Sequence, residues 1–260
     1  MLFRWWRNRR RKQLAAEPFP EDWLRIVRQN CRHYALLDPT EQARLLRDTR
    51  WFVAEKDIQT SVDLTLTDQM RVTIGVHAAL LGLGFPEPPF DRMISIIVRP
   101  ESYVAKTSRN YGAGLEIVSD EDRIGEAWKH GPIVLSWEDI QQQCRDDPDG
   151  RNVILHEFAH YLDMLNGDVD GVPLMRSREQ YEVWKEVTEQ EYRRLVRQTE
   201  RGRPTLIDPY GATSLIEFFA VVTECFFEEA VDLREEHPRL YEVFRLYYGQ
   251  DPASRSESMN

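Results

Sequence analysis

The chain has 260 residues, enough for one large domain or two closely packed subdomains, and 42% of them are apolar or aromatic, so a core needs no disulfide staples. A formal charge of −10 at pH 7 argues against nucleic acid as the main partner, because phosphates repel such a surface, and no direct nucleic-acid contact is expected. Cys31, Cys144 and Cys225 are widely spaced and form no CxxC pair, which argues against thiolate-bound zinc and reads as reduced thiols in a cytoplasmic protein.

The charge is uneven along the chain. The opening MLFRWWRNRRRK holds Arg4, Arg7, Arg9, Arg10, Arg11 and Lys12 and no acid, so the rest carries −16 once those six positives are set aside from −10. It is no secretory signal, since the basic run follows the aromatic patch and no apolar stretch precedes a cleavage site. Residues 1–19 are expected to be a frayed, basic and aromatic tail, able to touch an anionic membrane surface weakly through Trp5 and Trp6. No later stretch is apolar for long enough to span a bilayer.

Residues 20–56 read as two helices, the second opened by Pro39-Thr40-Glu41. An apolar helical segment covers 68–82, and Pro86, Pro88 and Pro89 break the chain after it. MISIIV, GLEIVS and PIVLSW, between 93 and 137, are short, β-branched and bounded by turn signals, as strands are. Helices follow over 151–166, ending at Asn166-Gly167, then over about 177–200, about 213–230 and from Pro238, with a loop at 168–175. The expected fold is α+β: predominantly helical, with a small β-sheet beside the helix at 151–166. One domain spans 20–250, with a helical part at 20–90 and a catalytic part at 91–250, and 251–260 reads as a disordered tail.

The chemistry sits in His156-Glu157-Phe158-Ala159-His160. On a helix, histidines four apart leave one face with β-carbons about 5–6 Å apart, and two imidazoles can converge on one ion. Glu157 lies to the side of that pair, placed to take a proton from a metal-bound water whose pKa zinc lowers toward neutrality. Val153, Ile154 and Leu155 before the motif and Tyr161-Leu162 after it make the helix apolar, and buried polar groups there are costly unless ligated or paired.

A catalytic zinc takes three protein ligands and a water, so a third ligand must come from elsewhere. Glu217 and Glu224 lie in the apolar run SLIEFFAVVTECFFEEA. Glu217 is favoured as the ligand and Glu224 as an acid behind the ligands or a structural one, while His237, in a turn beside a proline, is a weaker candidate. Asp163, three residues past His160, suits either an outer role orienting a ligand imidazole or a pairing with an arginine. By spacing alone Tyr210 reads as a packed aromatic, with donation to an oxyanion as the alternative.

At HEFAHYLDMLNGDVDGVP and IDPYGATSLIEFFAVVTECFF the sequence resembles the Mlc titration factor A family of bacterial zinc peptidases, which look related to the lethal-factor-type zincins. The similarity runs from about residue 20 to YYGQDP, and GPIVLSW matches the family's strand ahead of the active-site helix. The resemblance implies a zincin-like metallopeptidase fold and a cytoplasmic peptidase with one zinc ion per chain. It implies His156, His160 and Glu217 as the metal ligands, Glu157 as the catalytic base and Tyr210 as a catalytic tyrosine. Aminopeptidase and endopeptidase modes both remain open. It also implies two kinds of partner: a peptide or protein substrate, and an Mlc-like DNA-binding repressor of sugar uptake, hence a role in transcription regulation. The competing reading is a non-catalytic protein that sequesters a repressor, with incidental hydrolysis.

Overall fold

A computed structural model describes residues 2–93, 95–101, 132–145 and 150–257. Among these, the helices are α1 (Leu2–Ala16), α2 (Glu21–Asn30), α3 (Pro39–Glu55), α4 (Asp68–Gly82), α5 (Trp137–Arg145), α6 (Val153–Asp163), α7 (Arg178–Glu200), α8 (Leu215–Glu228), α9 (Ala230–Glu236), α10 (Pro238–Tyr248) and α11 (Pro252–Glu257). The strands are β1 (Asp57–Thr60), β2 (Ser95–Arg99) and β3 (Ile133–Ser136), in the order β1-β2-β3 and all parallel, with Ile58 opposite Ile96 and Val98 opposite Leu135. The expected α+β fold, mostly helical with a small sheet, is the one observed. Of the three expected strands, GLEIVS lies outside the described residues.

Local signals explain several helix starts. Asp38 caps α3 by accepting from the amides of Thr40 and Glu41, and the Glu41 side chain reaches back to the Asp38 amide, with Pro39 at the first helical position. Thr67, Ser177 and Ser214 cap α4, α7 and α8 in the same manner.

Packing runs outward from α6. Its neighbours are α4 and β3 on one side and α8 on the other. Phe158, fully buried, meets the rings of Phe52 at 5.8 Å and Phe90 at 4.9 Å, which locks the helix against the first half of the chain. Beyond α8 a second cluster of Trp184, Phe219, Phe226, Phe244 and Tyr248 joins α7, α8 and α10. The helix carrying the HExxH motif is therefore held between two apolar layers.

Three expectations need correction. Residues 1–19 are not a frayed tail: α1 is docked on the body, with Arg7 paired to Asp91, Arg11 to Glu55 and Asp91, and the Trp51 indole donating to the Arg11 carbonyl. Its inward positions find half-buried acids, which composition alone could not reveal. The tail after 250 contains α11, where the Ala253 amide donates to the Tyr241 hydroxyl and Arg255 pairs with Glu41. Finally, 20–90 is not purely helical. DIQT at 57–60 forms β1 and pairs with β2, so the sheet ties the two expected parts together.

Candidate active site

Asn152 begins the site. It caps α6 by accepting from the Leu155 amide at 3.2 Å, and Gln143 accepts from the Val153 amide at 2.7 Å. From that start, positions 152, 156 and 160 form a single stripe along α6. A stripe on α8 running the opposite way supplies Glu228, Glu224 and Glu217.

The two stripes meet as a ladder. Asn152 Nδ2 donates to Glu228 at 2.7 Å and the Asn152 amide donates to Glu224 at 2.5 Å. Glu224 Oε1 stands 2.7 Å from His156 Nδ1. Glu217 Oε2 stands 3.1 Å from His156 Nε2 and 3.5 Å from His160 Nε2, and the two Nε2 atoms are 3.1 Å apart. All six of these side chains are buried.

The structure thus brings together the three residues expected to bind metal. Among the described residues, His156, His160 and Glu217 are the one group of three or more ligand-type side chains able to hold an ion. Their geometry passes a simple test. Bonds of about 2.0–2.1 Å to a tetrahedral zinc separate the ligand atoms by roughly 3.3 Å. The observed triangle of 3.1, 3.1 and 3.5 Å matches that value. Two imidazoles and a carboxylate are also a set that borderline cations favour.

Electrostatics point the same way. Burial works against protonating His156, yet the charge of Glu224 and hydrogen bonds to Glu217 and Glu224 outweigh it and raise its pKa well above the usual histidine range. Burial likewise disfavours ionised Glu217, but hydrogen bonds from His156 and His160 hold its carboxyl far below the usual range. A buried cluster with Glu157, Glu217 and Glu224 around two imidazoles carries surplus negative charge, which a cation neutralises.

Glu157 is buried, and its pKa is raised mainly by that burial, with His160 and His156 opposing. Tyr210 is half-buried on a 3-10 turn, Pro209–Ala212, and its ring centroid lies 6.1 Å from that of His156. Asp208 caps that turn through the Tyr210 amide, and Arg151, the residue before the α6 cap, pairs with Asp208 at 2.6 Å. Arg151 thereby joins the tyrosine's turn to the start of the HExxH helix.

Other candidates fall elsewhere. His237 pairs with Glu191 of α7 at 2.7 Å and is not in the ligand group. Glu224 meets His156 Nδ1 at 2.7 Å, on the ring nitrogen away from Glu217. Asp163 accepts from the Gly171 amide at 2.9 Å, and burial pushes its carboxyl up to about 6. That bond pins the 168–175 loop across the start of α8: Gly171 has φ +78°, and a Cβ there would lie 2.3 Å from the Leu215 carbonyl oxygen. Asn152, Arg151 and Asp208 were not singled out from the sequence. Asn152 carries a legible signal, an N-cap residue directly before an apolar helical run. Arg151 and Asp208 carry none, because their pairing is 57 residues long-range.

A mostly helical α+β frame thus carries a buried His/His/Glu group able to hold a metal ion. The profile of the glucose-regulated metallo-peptidase M90 family matches residues 3–249, and the chain belongs to that family. It is 38% identical to the uncharacterized protein slr2042 of Synechocystis sp., over 95% of this chain and 90% of that one. It is 30% identical to Mlc titration factor A of Serratia proteamaculans (86% and 85% covered) and 31% identical to Mlc titration factor A of Pectobacterium atrosepticum (86% and 84%). The resemblance drawn from HEFAH and its companion block is borne out.

Proposed function

We propose that this chain is a zinc-dependent peptidase in which His156, His160 and Glu217 hold one zinc ion, Glu157 is the general base and Tyr210 supports the oxyanion. The observation that carries the reading is the convergence of three buried ligand atoms within 4.8 Å of one another. Bound there, a zinc ion supplies Lewis acidity and makes a water acidic near neutral pH.

The chain's own residues do the rest. Glu157 takes the proton of the attacking water and returns it to the leaving amine, a task suited to a carboxyl whose pKa burial has raised toward the working pH. The Tyr210 hydroxyl donates to the oxygen that gains charge. Glu224 holds His156 Nδ1, so that Nε2 points at the ligand triangle.

Glu157→Gln tests the reading: peptide-library hydrolysis falls by at least about a hundredfold while metal analysis still finds zinc. Hydrolysis at the wild-type rate, or wild-type protein purified without zinc, overturns it.

The substrate is a peptide or protein, with aminopeptidase action one of the modes the library would reveal. The relatives' printed name, Mlc titration factor A, supports a second role in binding an Mlc-like repressor, and through it in transcription regulation. That Cys31, Cys144 and Cys225 form no disulfide supports a cytoplasmic location. No helix among the described residues is long and apolar enough to cross a membrane. The same name favours the alternative, in which the chain sequesters a repressor and hydrolysis is incidental. Retention of full repressor affinity by His156→Ala and Glu157→Gln, together with hydrolysis at background in the wild type, would favour it.

A further inference from the structure

The Arg/Trp-rich opening of the chain is absorbed by nothing in the active site. In α1 it has two distinct sides. Positions 7, 11 and 14 share the inward side. Arg7 pairs with Asp91 at 2.9 Å, Arg11 pairs with Glu55 at 2.6 Å and lies 4.9 Å over the Trp51 ring, and Arg50 of α3 donates to the Leu14, Glu17 and Pro18 carbonyls. These bonds fix the helix's rotation. What they turn outward are two adjacent stripes, Trp5-Arg9-Lys12 and Trp6-Arg10-Gln13, all exposed, with Trp5 at 53% and Trp6 at 63%.

We infer that this outward face of α1 is a docking surface for an anionic lipid bilayer. Two exposed indoles side by side are rare on a soluble surface unless they meet something, and indoles favour the depth of lipid headgroups. Arg9, Arg10 and Lys12 beside them match the negative potential of such a surface. The helix is basic in a chain that is otherwise strongly acidic, so attraction is confined to this face. The acidic remainder is screened beyond about 8–10 Å at physiological salt.

A single-stranded nucleic acid would also use aromatics and basic residues, but by stacking bases on open ring faces. Here the Arg9 guanidinium lies 5.5 Å from the Trp5 ring centre, and Trp5 and Trp6 pack edge to face at 5.4 Å. The two rings are thus nearly perpendicular with a cation over one of them, so the pair presents a wedge and not a flat stacking platform. The anchored inward side also means that docking needs no refolding: the body would sit on the membrane in an orientation set by Asp91, Glu55 and Trp51.

Sedimentation of the full chain with vesicles tests this. The wild type partitions onto vesicles of about 30% phosphatidylglycerol in phosphatidylcholine at about 0.15 M salt and not onto phosphatidylcholine alone. Replacing Arg9, Arg10 and Lys12 together by Gln weakens partitioning about a hundredfold, and replacing Trp5 and Trp6 by Ala weakens it about tenfold. An unchanged circular dichroism melt shows that both variants remain folded. The same vesicles at high salt serve as a variant-free control and release the wild type. Equal partitioning onto neutral vesicles, unchanged partitioning of the charge variant, or tighter binding to a single-stranded oligonucleotide than to the anionic vesicles would overturn the inference. None of these readouts depends on peptidase activity.

Discussion

Helices α7 and α8 are both rich in glutamate, and they use it in opposite ways. On α7, Glu182, Glu186 and Glu189 face solvent and pair with Arg178, Arg239, Arg193 and Lys185 at 2.6–3.9 Å. On α8, Glu217, Glu224 and Glu228 lie on one buried stripe and meet His156, His160, His33 and Asn152 on neighbouring elements. The acid is the same; the solvent is not. An exposed pair gains little, because water competes for both partners and screens them. A buried carboxylate must find a proton, a donor or a cation, so its partners are specified. The chemistry collects where desolvation makes each charge costly.

The contrast can be attacked at its strong end. Glu217→Ala removes one corner of the ligand triangle and leaves two imidazoles without their carboxylate. Metal content should fall to background and hydrolysis with it, by at least about a thousandfold, read by metal analysis and peptide cleavage on one sample. Retained metal would mean that Glu217 is not a ligand. Removing the ion from wild-type protein with a chelator should lower the melting temperature as well as the activity, since an ion bound only by the folded state stabilises it by mass action.

Glu224→Gln probes the next rung. The amide keeps the shape and loses the charge held against His156 Nδ1, and zinc affinity should weaken about 10–100-fold with a smaller loss of maximal rate. An unchanged affinity would reduce Glu224 to a packing residue. Next comes Gly171→Ala, which places a Cβ against the Leu215 carbonyl in a left-handed backbone. It should cost at least about 2 kcal/mol in chemical denaturation, whatever it does to the site. At the weak end, Glu186→Ala breaks an exposed pair with Arg239, 2.8 Å long, and should shift stability by no more than about 0.5 kcal/mol. A loss near that of Gly171→Ala would show that the α7 surface is not the solvated face its exposure implies.

Some of this was readable residue by residue. His156 and His160 four apart, in a run with Val153, Ile154 and Leu155 ahead of them, specify a buried helix with two imidazoles on one side, because helical periodicity is local. Glu217 stood out because a carboxylate among Leu215, Ile216, Phe218 and Phe219 is costly without a partner. The capping signals at Asp38 and Ser214 are local too. Strand β1 was not readable: DIQT alternates weakly, and only pairing with Ser95–Val98 makes it a strand. The α1 segment read as a tail because nothing near Arg7 and Arg11 in sequence balances them; Glu55 and Asp91 meet Arg11 from 44 and 80 residues away, and Asp91 meets Arg7 too.

By itself, then, the sequence determined the family, the mostly helical α+β class, the motif helix and the identity of the acids that would need partners. Those follow from residue type and short-range spacing. Tertiary structure alone decided which partners they have: Glu224 on His156, Asp163 on the Gly171 loop, Arg151 on the turn of Tyr210, and α1 against Asp91 and Glu55. The physical reason is that desolvation and charge pairing act through space, between groups whose separation along the chain carries no record of their separation in the fold.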